Sequence, residues 1–157
     1  MRARVVTVSD RVAAGTAEDR SGPAAAAILL EAGFEVEVSV VADGVESVAV
    51  ALREAVAEGL DLVVTTGGTG LAPRDLTPEA TALVVERPAP GISEAMRAVG
   101  MTHDPRAMLS RGMSGVAGST LIVNLPGSVV GVEESLRAVV EVLPHAVRLA
   151  AGGPAGH

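Results

Sequence analysis

Four short apolar segments, each ending in polar residues, constrain the fold of this chain more than any other feature. Segments 2–9, 60–66 and 120–125 are rich in Val, Leu and Ile, which is typical of parallel strands buried on both faces. Segment 34–40 instead alternates apolar residues with Glu and Ser, which indicates an edge strand with one face in water. The pattern predicts a sheet whose inner strands are parallel.

Helical patterns lie between these segments, with apolar residues three and four positions apart. They predict helices over 21–32, 45–58 and 129–150. The first of these helices should begin with Ser21 as its N-cap and end at Gly33. Strands that alternate with helices indicate an α/β fold with a mostly parallel central sheet flanked by helices.

The length of the chain suits one domain. We predict that residues 1–150 of the 157 form this domain and that 151–157, rich in Gly and Pro, form a flexible C-terminal tail. Prolines interrupt two short helical patterns within 88–111, and the periodicity there predicts no topology.

The composition argues against several classes of function. The chain has 19 acidic and 12 basic residues and a formal charge of −7, so we expect no nucleic-acid partner. It contains neither Lys nor Cys, which excludes Schiff-base lysines, phosphate-loop lysines, disulfides and zinc–cysteine sites. Every apolar stretch is shorter than the roughly 18 residues that cross a membrane, and the first four residues lack a signal-peptide core. We therefore predict a cytoplasmic protein without a membrane partner.

Two glycine-containing loops follow buried strands, the position at which open parallel sheets bind ligands. The first loop, 65–70, reads Thr-Thr-Gly-Gly-Thr-Gly, and its glycines allow a tight turn with N–H groups close to phosphate oxygens. The second loop, 124–128, opens the last predicted helix, whose N-terminus favours an anion. Either loop alone is equally consistent with a plain connection. Two loops at equivalent strand ends favour binding of a phosphorylated ligand.

Asp75 lies close to the first loop, where an anion-binding protein would ordinarily avoid a carboxylate. Its neighbours have a sufficient structural explanation, because Thr77 is a suitable N-cap, Pro78 suits the first helical turn and Glu79 favours a helix N-terminus. A Mg²⁺ ion held by Asp75 would reconcile the carboxylate with a phosphate. The alternative is that Asp75 only caps a turn, and Asp43, after the edge strand, allows the same two interpretations.

Familiar nucleotide and hydrolase motifs do not match the chain. A nucleotide phosphate loop requires Lys, and a dinucleotide fingerprint requires a third glycine where this chain has Pro73. A serine-hydrolase elbow requires Gly-x-Ser-x-Gly, a spacing that 112–115 lacks. His103 and His145 have no adjacent metal-ligating partner in the sequence, so we place both outside the site.

Seven short motifs occur along roughly residues 4–149. They read Ser-Asp-Arg at 9–11, Asp-Arg-Ser-Gly at 19–22, Thr-Gly-Gly-Thr-Gly at 66–70, Arg-Asp-Leu-Thr-Pro-Glu-Ala at 74–80, Pro-Gly at 90–91, Leu-Ser-Arg at 109–111 and Asn-Leu-Pro-Gly at 124–127. In kind and order they resemble those of the molybdopterin adenylyltransferases of molybdenum-cofactor biosynthesis, a family similar also to the G domain of gephyrin.

The resemblance implies a three-layer α/β sandwich of the molybdopterin-binding type that forms a homotrimer. It implies Mg²⁺-dependent transfer of AMP from ATP to the terminal phosphate of molybdopterin, with release of pyrophosphate and hand-over of the product to the molybdenum-insertion enzyme. Such a transfer needs positioning and charge neutralisation more than a covalent nucleophile. Two alternatives remain open, a non-catalytic molybdopterin-binding paralogue of the same fold and an oligomeric scaffold in which the glycine loops are structural.

The resemblance also implies roles for particular residues. Asp75 and Asp43 match the family's functional aspartates and are the predicted catalytic residues and Mg²⁺ ligands. Arg74 or Arg111 is expected to neutralise developing charge on the phosphates. The predicted substrate- and nucleotide-binding residues are Ser9, Asp10, Thr66, Gly67, Gly68, Thr69, Gly70, Arg74, Thr77, Ser110, Arg111, Ser119, Asn124, Pro126 and Gly127.

Overall fold

A six-stranded sheet lies at the centre of the computed structural model, which describes residues 1–154. In chain order its strands are β1 Arg2–Val8, β2 Glu35–Val41, β3 Leu62–Thr66, β4 Arg87–Pro88, β5 Ser114–Ala117 and β6 Thr120–Leu125. Their order across the sheet is β2-β1-β3-β6-β5-β4. Strands β2, β1, β3 and β6 are parallel, whereas β5 and β4 each run antiparallel to the preceding neighbour. The predicted mostly parallel sheet, with β2 at its edge, is confirmed.

Helices cover both faces of this sheet and make the fold a three-layer α/β sandwich. In chain order they are α1 Asp10–Ala13, α2 Ser21–Glu31, α3 Val45–Ala57, α4 Thr77–Ala82, α5 Pro90–His103, a 3₁₀ helix Pro105–Leu109, α6 Val129–Val139 and α7 Leu143–Ala150. Helices α2, α5, α6 and α7 pack on one face, and α3 and α4 pack on the other. Throughout residues 1–154, each helix is too short or too polar to span a lipid bilayer.

The apolar core consists of two clusters, one on each face of the sheet. On β1, Val5 belongs to one cluster and Val6 to the other, because successive side chains of a strand point to opposite faces. On β3, Leu62 and Val63 divide in the same way. Inner strands are therefore apolar on both faces, which explains their continuous apolar sequence.

Both predicted N-caps are wrong. Ser21 is the first residue of α2, and its hydroxyl pairs with the hydroxyl of Thr66 at 2.9 Å. Thr77 is the first residue of α4, and its hydroxyl donates to the carbonyl of Gly67 at 3.0 Å. In each case the hydroxyl bonds to a residue at the end of β3 or just after it, so that the start of a helix is tied to the end of the sheet.

The long final helix predicted over 129–150 is also wrong, because the structure has two helices there. Helix α6 ends at Val139 and α7 begins at Leu143, with Pro144 in the first turn of α7. Proline lacks the N–H that a continuing helix requires, so it is tolerated only near a helix start. Both Val139 and Leu143 are buried, so the apolar spacing continues across the break and conceals it.

Segment 88–111, for which the periodicity predicts no topology, begins at the end of β4 and folds into the 14-residue helix α5 and the 3₁₀ helix. Pro90 is the first residue of α5, the helical position that proline favours. Beyond α7, the N–H groups of Gly152 and Gly153 donate to helix carbonyls at 3.0 and 2.8 Å. The first part of the predicted tail thus closes α7, and residues 155–157 of that tail lie outside the described residues.

The buried face of α3 gives a test of this core. Leu52 has no exposed surface, so Leu52→Ala should lower the free energy of unfolding by about 2–5 kcal/mol, because it leaves a cavity. Val50, on the same helix, is 40% exposed, and Val50→Ala should change that free energy by less than about 0.5 kcal/mol. Urea denaturation of both variants measures the difference, and equal losses would contradict the position of α3.

Candidate functional site

The loops that follow β3 and β6 meet at one edge of the sheet, where the parallel strands end. The N–H of Gly67 donates to the carbonyl of Leu125 at 3.2 Å. A Cβ on Gly127 would lie 3.2 Å from the Cα of Gly67, so the backbones of the two loops are in contact. The two glycine loops that the sequence places at equivalent strand ends therefore form one site.

Glycine is required at two positions of the first loop. Gly67 has a φ of +96°, and a Cβ there would lie 2.5 Å from the carbonyl oxygen of Val8. Gly68 has a φ of +64°, and a Cβ there would overlap the hydroxyl of Thr77. A Cβ on Gly70 would lie 2.7 Å from a carboxylate oxygen of Asp75, so that carboxylate lies beside the loop. The N–H groups of residues 68–70 have no acceptor within 1–154. The loop thus presents unpaired backbone donors beside a carboxylate, an arrangement suited to an anion accompanied by a cation.

Two clefts, of about 760 and 590 Å³, open on either side of these loops. Among the predicted site residues, the larger cleft is lined by Thr69, Gly70, Ser110, Asn124 and Pro126. The smaller cleft is lined by Ser9, Asp10, Asp43, Thr66 and Gly67. Three residues line both clefts, and they are Gly68, Asp75 and Gly127. Asp75 thus lies where the two clefts meet.

Asp43 and Asp10 hold each other in place in the smaller cleft. The N–H of Asp10 donates to Oδ2 of Asp43 at 2.8 Å, and the N–H of Asp43 donates to Oδ1 of Asp10 at 3.1 Å. Arg74 adds a two-pronged contact with the Asp10 carboxylate at 2.6 and 3.0 Å and a bond to the Asp43 carbonyl at 2.9 Å. The hydrogen bonds from Arg74 lower the pKa of Asp10 below its ordinary value.

Each of the two predicted metal-binding carboxylates uses one oxygen within the protein. Oδ2 of Asp75 accepts the N–H of Ala72 at 3.0 Å, which is the turn-capping contact that the sequence allows. For Asp43 and Asp75 alike, Oδ1 has no hydrogen-bond partner within residues 1–154. Carboxylate oxygens are ligands that Mg²⁺ prefers. The described residues contain no cluster of three or more His, Asp or Glu able to hold a metal, so a bound ion would take its remaining oxygens from substrate or water.

Arg111 lies behind the first glycine loop. Its Nε donates to the carbonyl of Gly70 at 2.8 Å, and its own N–H donates to the carbonyl of Thr69 at 2.8 Å. The guanidinium also donates to the carbonyl of Asp75 and to the carboxylate of Glu79. The bond from Arg111 is the main reason that the pKa of Glu79 is lowered. Arg111 thus joins the loop, Asp75 and α4.

The side chain of Asn124 is used to hold the site together. Its amide Nδ2 donates to the hydroxyls of Thr65 and Thr81, both at 3.0 Å, and its Oδ1 accepts the N–H of Met113 at 3.2 Å. These contacts connect the ends of β3 and β6 to α4 and to the residue before β5. Asn124 lines the larger cleft, but its polar atoms are engaged within the protein.

Four predicted site residues lie outside both clefts. Three of them, Arg74, Thr77 and Arg111, instead donate hydrogen bonds to residues that line the clefts. The acceptors are Asp10, Gly67 and Gly70, respectively. Ser119 is exposed in the turn between β5 and β6, at the opposite end of β6 from 124–127. Strand β6 has six residues at about 3.3 Å each, so Ser119 lies roughly 20 Å from 124–127. The structure therefore does not bring Ser119 to this site.

Sequence reasoning missed several residues of the two clefts. Arg11 lines the smaller cleft, and within 1–154 its guanidinium makes no hydrogen bond or ion pair. Ser93, Arg97 and His103 line the larger cleft from α5, although the sequence analysis placed His103 outside the site. The four-residue spacing of Ser93 and Arg97 was the available signal, because it places both on one face of a helix.

Comparison with known proteins identifies the family of this chain. Residues 4–145 match the family described as "Probable molybdopterin binding domain". The molybdopterin adenylyltransferase of Helicobacter pylori strain J99 is 41% identical over 152 residues, which cover 94% of this chain and 86% of that protein. The molybdenum cofactor biosynthesis bifunctional protein of Synechococcus elongatus is 40% identical over 155 residues, which cover 98% of this chain. The chain spans about half of that relative, 49% of its length.

The fold has a close match among solved structures. The crystal structure of the molybdopterin biosynthesis enzyme MoaB from Thermus thermophilus superposes with a TM-score of 0.90 at 49% sequence identity and covers 98% of each chain. The family match, the identity to these relatives and the shared fold all extend over nearly the whole chain. The chain therefore belongs to the molybdopterin-binding family of molybdenum cofactor biosynthesis proteins.

Proposed function

We propose that this protein is a molybdopterin adenylyltransferase, which transfers AMP from ATP to the terminal phosphate of molybdopterin and releases pyrophosphate. The observation that carries the proposal is that two clefts meet at Gly68, Asp75 and Gly127. A transfer between two ligands requires binding sites that adjoin at the reacting groups. The relative of that name from H. pylori, at 41% identity, supports the same activity.

The proposed reaction is a substitution at phosphorus. An oxygen of the molybdopterin phosphate forms a bond to the α-phosphorus of ATP, and the bond from that phosphorus to the oxygen bridging to the β-phosphorus breaks. Pyrophosphate leaves with the bonding electrons. No covalent protein intermediate is needed, because positioning and charge neutralisation supply most of the catalysis in such transfers. The unpaired N–H groups of residues 68–70 are suited to bind phosphate oxygens.

Asp43 and Asp75 fit a Mg²⁺ ion in the smaller cleft. Both line that cleft, and each retains an oxygen without a partner among residues 1–154. When bound, Mg²⁺ supplies positive charge that neutralises the phosphates and stabilises the leaving pyrophosphate. Because the chain carries a formal charge of −7, a triphosphate needs such local compensation.

Arg11 is better placed than Arg74 or Arg111 to add positive charge at the phosphates. The guanidinium of Arg74 is engaged by Asp10, that of Arg111 by Glu79 and two carbonyls, and neither residue lines a cleft. Arg11 lines the smaller cleft, where no carboxylate of residues 1–154 pairs with it. We therefore assign charge neutralisation to Arg11 and the loop N–H groups.

Asp75→Asn should leave folding intact and abolish product formation, because it removes a carboxylate where the two clefts meet. Turnover of ATP and molybdopterin in the presence of Mg²⁺ should fall by about 100-fold or more, the loss typical of one preorganised electrostatic contact. Release of pyrophosphate and formation of adenylylated molybdopterin are the measurements. Asp61→Asn is the matched control, since Asp61 lies at the opposite end of β3 and accepts the N–H of Arg2. Unchanged turnover in Asp75→Asn would remove this residue from the mechanism.

The unaltered protein distinguishes the proposal from its two alternatives. An adenylyltransferase forms product from ATP, molybdopterin and Mg²⁺ and loses this activity when a chelator removes the ion. A non-catalytic paralogue binds molybdopterin but releases no pyrophosphate. A scaffold gives no heat of binding in calorimetry with ATP and Mg²⁺ or with molybdopterin, and absence of heat with both ligands would overturn both ligand-binding interpretations.

We further propose that the protein is a cytoplasmic homotrimer that hands its product to the molybdenum-insertion enzyme. Exposed apolar side chains, among them Leu30, Val38, Leu83 and Val142, offer surface that subunit contacts could cover. Sedimentation velocity should therefore give a mass near three times the 15.7 kDa of one chain. A monomeric mass at micromolar concentration would contradict the trimer. To test the hand-over, this protein carrying its product is mixed with the insertion enzyme, and the adenylylated molybdopterin bound to the insertion enzyme is measured.

A further inference from the structure

Arg111 is bonded to four residues that surround the loop carrying Asp75. Its guanidinium donates to the carbonyls of Gly70 and Asp75 and to the carboxylate of Glu79, and its N–H donates to the carbonyl of Thr69. These acceptors belong to the glycine loop, to the loop before α4 and to α4 itself. One side chain therefore connects three separate pieces of backbone, in addition to the bonds from Thr77 to the carbonyls of Gly67 and Gly68.

The segment that carries Arg111 is itself held from the side of α5. Nη1 of Arg97 donates to the carbonyl of Gly112 at 2.8 Å and, more weakly, to that of Ser110 at 3.4 Å. The N–H of Gly112 donates to the hydroxyl of Ser110 at 3.3 Å. Arg111 thus reaches toward Asp75 from a segment that is fixed on its other side.

The loop before Asp75 needs such a contact. Residues 71–74 are exposed, and Leu71 keeps 66% of its surface in contact with solvent. The carboxylate of Asp75 is held only by the local contact with Ala72 among residues 1–154. Arg74 anchors this loop to Asp10 and Asp43, and Thr77 ties the start of α4 to the glycine loop, but neither contact is made to Asp75 itself. Groups at a reacting centre act only when they are held within about 0.5 Å of the productive geometry, so the backbone of Asp75 needs a further partner.

We propose that Arg111 is a positioning residue, which fixes the carboxylate of Asp75 at its distance from the N–H groups of the glycine loop. Its effect on catalysis rests on the proposed adenylyl transfer. Arg111 lines neither cleft, and its donors are engaged by the carbonyls of Gly70 and Asp75 and by Glu79, so it acts through Asp75 rather than on a phosphate.

The variant Arg111→Lys distinguishes a positioning role of Arg111 from simple neutralisation of phosphate charge. An ammonium keeps the positive charge but cannot present the planar fork that reaches three acceptors at once. If Arg111 acted through its charge on the phosphates, Arg111→Lys would restore most of the activity that Arg111→Gln loses. If Arg111 positions Asp75, both variants should be impaired to a similar degree.

The experiment measures kcat, KM for ATP, the half-saturating Mg²⁺ concentration and amide hydrogen exchange of residues 69–76. For both Arg111 variants we expect kcat to fall by about 10- to 100-fold, the usual loss when a group that orients a metal ligand is removed. The half-saturating Mg²⁺ concentration should rise, whereas KM for ATP should stay within about twofold, because ATP contacts are not removed. Within 69–76 the N–H groups of Ala72 and Asp75 are hydrogen-bonded, and without substrates their exchange should accelerate by about tenfold or more.

Arg4→Gln is the matched control. Arg4, on β1 and away from the clefts, also joins separate elements, with bonds to Glu37 and Glu58 both at 2.7 Å. This variant should lose thermal stability comparably to Arg111→Gln but keep kcat, the Mg²⁺ dependence and the exchange of 69–76. A similar loss of kcat in Arg4→Gln would show that general destabilisation explains the effect and would overturn the proposal.

The remaining outcomes are also decisive. Activity restored by Arg111→Lys, or exchange of 69–76 unchanged in Arg111→Gln, would overturn the positioning role. If the unaltered protein transfers no AMP, the proposed function fails, and the exchange measurement still decides whether Arg111 fixes the loop around Asp75.

Glu79→Gln should give a smaller change in exchange than Arg111→Gln, because it weakens one of four bonds. An equal or larger change would contradict the central role of Arg111.

Discussion

The contact between the carboxyl ends of β3 and β6 is the interaction on which the rest of the site depends. It consists of the bond from the Gly67 N–H to the Leu125 carbonyl and the buried amide of Asn124, which reaches hydroxyls on β3 and α4. Because no side chain separates Gly67 from Gly127, the two glycine loops lie directly against each other. Two clefts can then share a wall.

The fold was predictable where an element shows a clear period and no proline interrupts it, whereas prolines obscured the 14-residue α5 and the break between α6 and α7 was hidden by continuous apolar spacing. Strand β6 occupies the same residues, Thr120–Leu125, that its apolar run indicates. Strands β4 and β5, with two and four residues, are too short for a repeating pattern and were not predicted. The predicted helix caps were wrong for a different reason. Ser21 and Thr77 bond to residues 45 and 10 positions away, and local propensity carries no information about such distant partners.

The candidate site was predictable where backbone geometry restricts the residue type. Gly67 and Gly68 have a positive φ and lie where a side chain would meet a neighbour, and Asp75 lies beside Gly70 as its place in the sequence indicates. Side-chain partners were not predictable in this way. Arginine spacing does not reveal that Arg111 turns toward backbone carbonyls, because the direction of a long side chain depends on tertiary partners. The position of Ser119 did follow from the sequence, because the residue before the predicted strand 120–125 lies at the opposite end of that strand from 124–127.

The shared wall between the two clefts has a consequence for the order in which ligands arrive. Only Gly68, Asp75 and Gly127 belong to both clefts among residues 1–154, and two of these three residues have no side chain. Each cleft is otherwise lined by its own residues, so a ligand in one need not occupy the other. In the proposed reaction either substrate can bind first. The two phosphate groups then meet only if each extends to the residues that both clefts share.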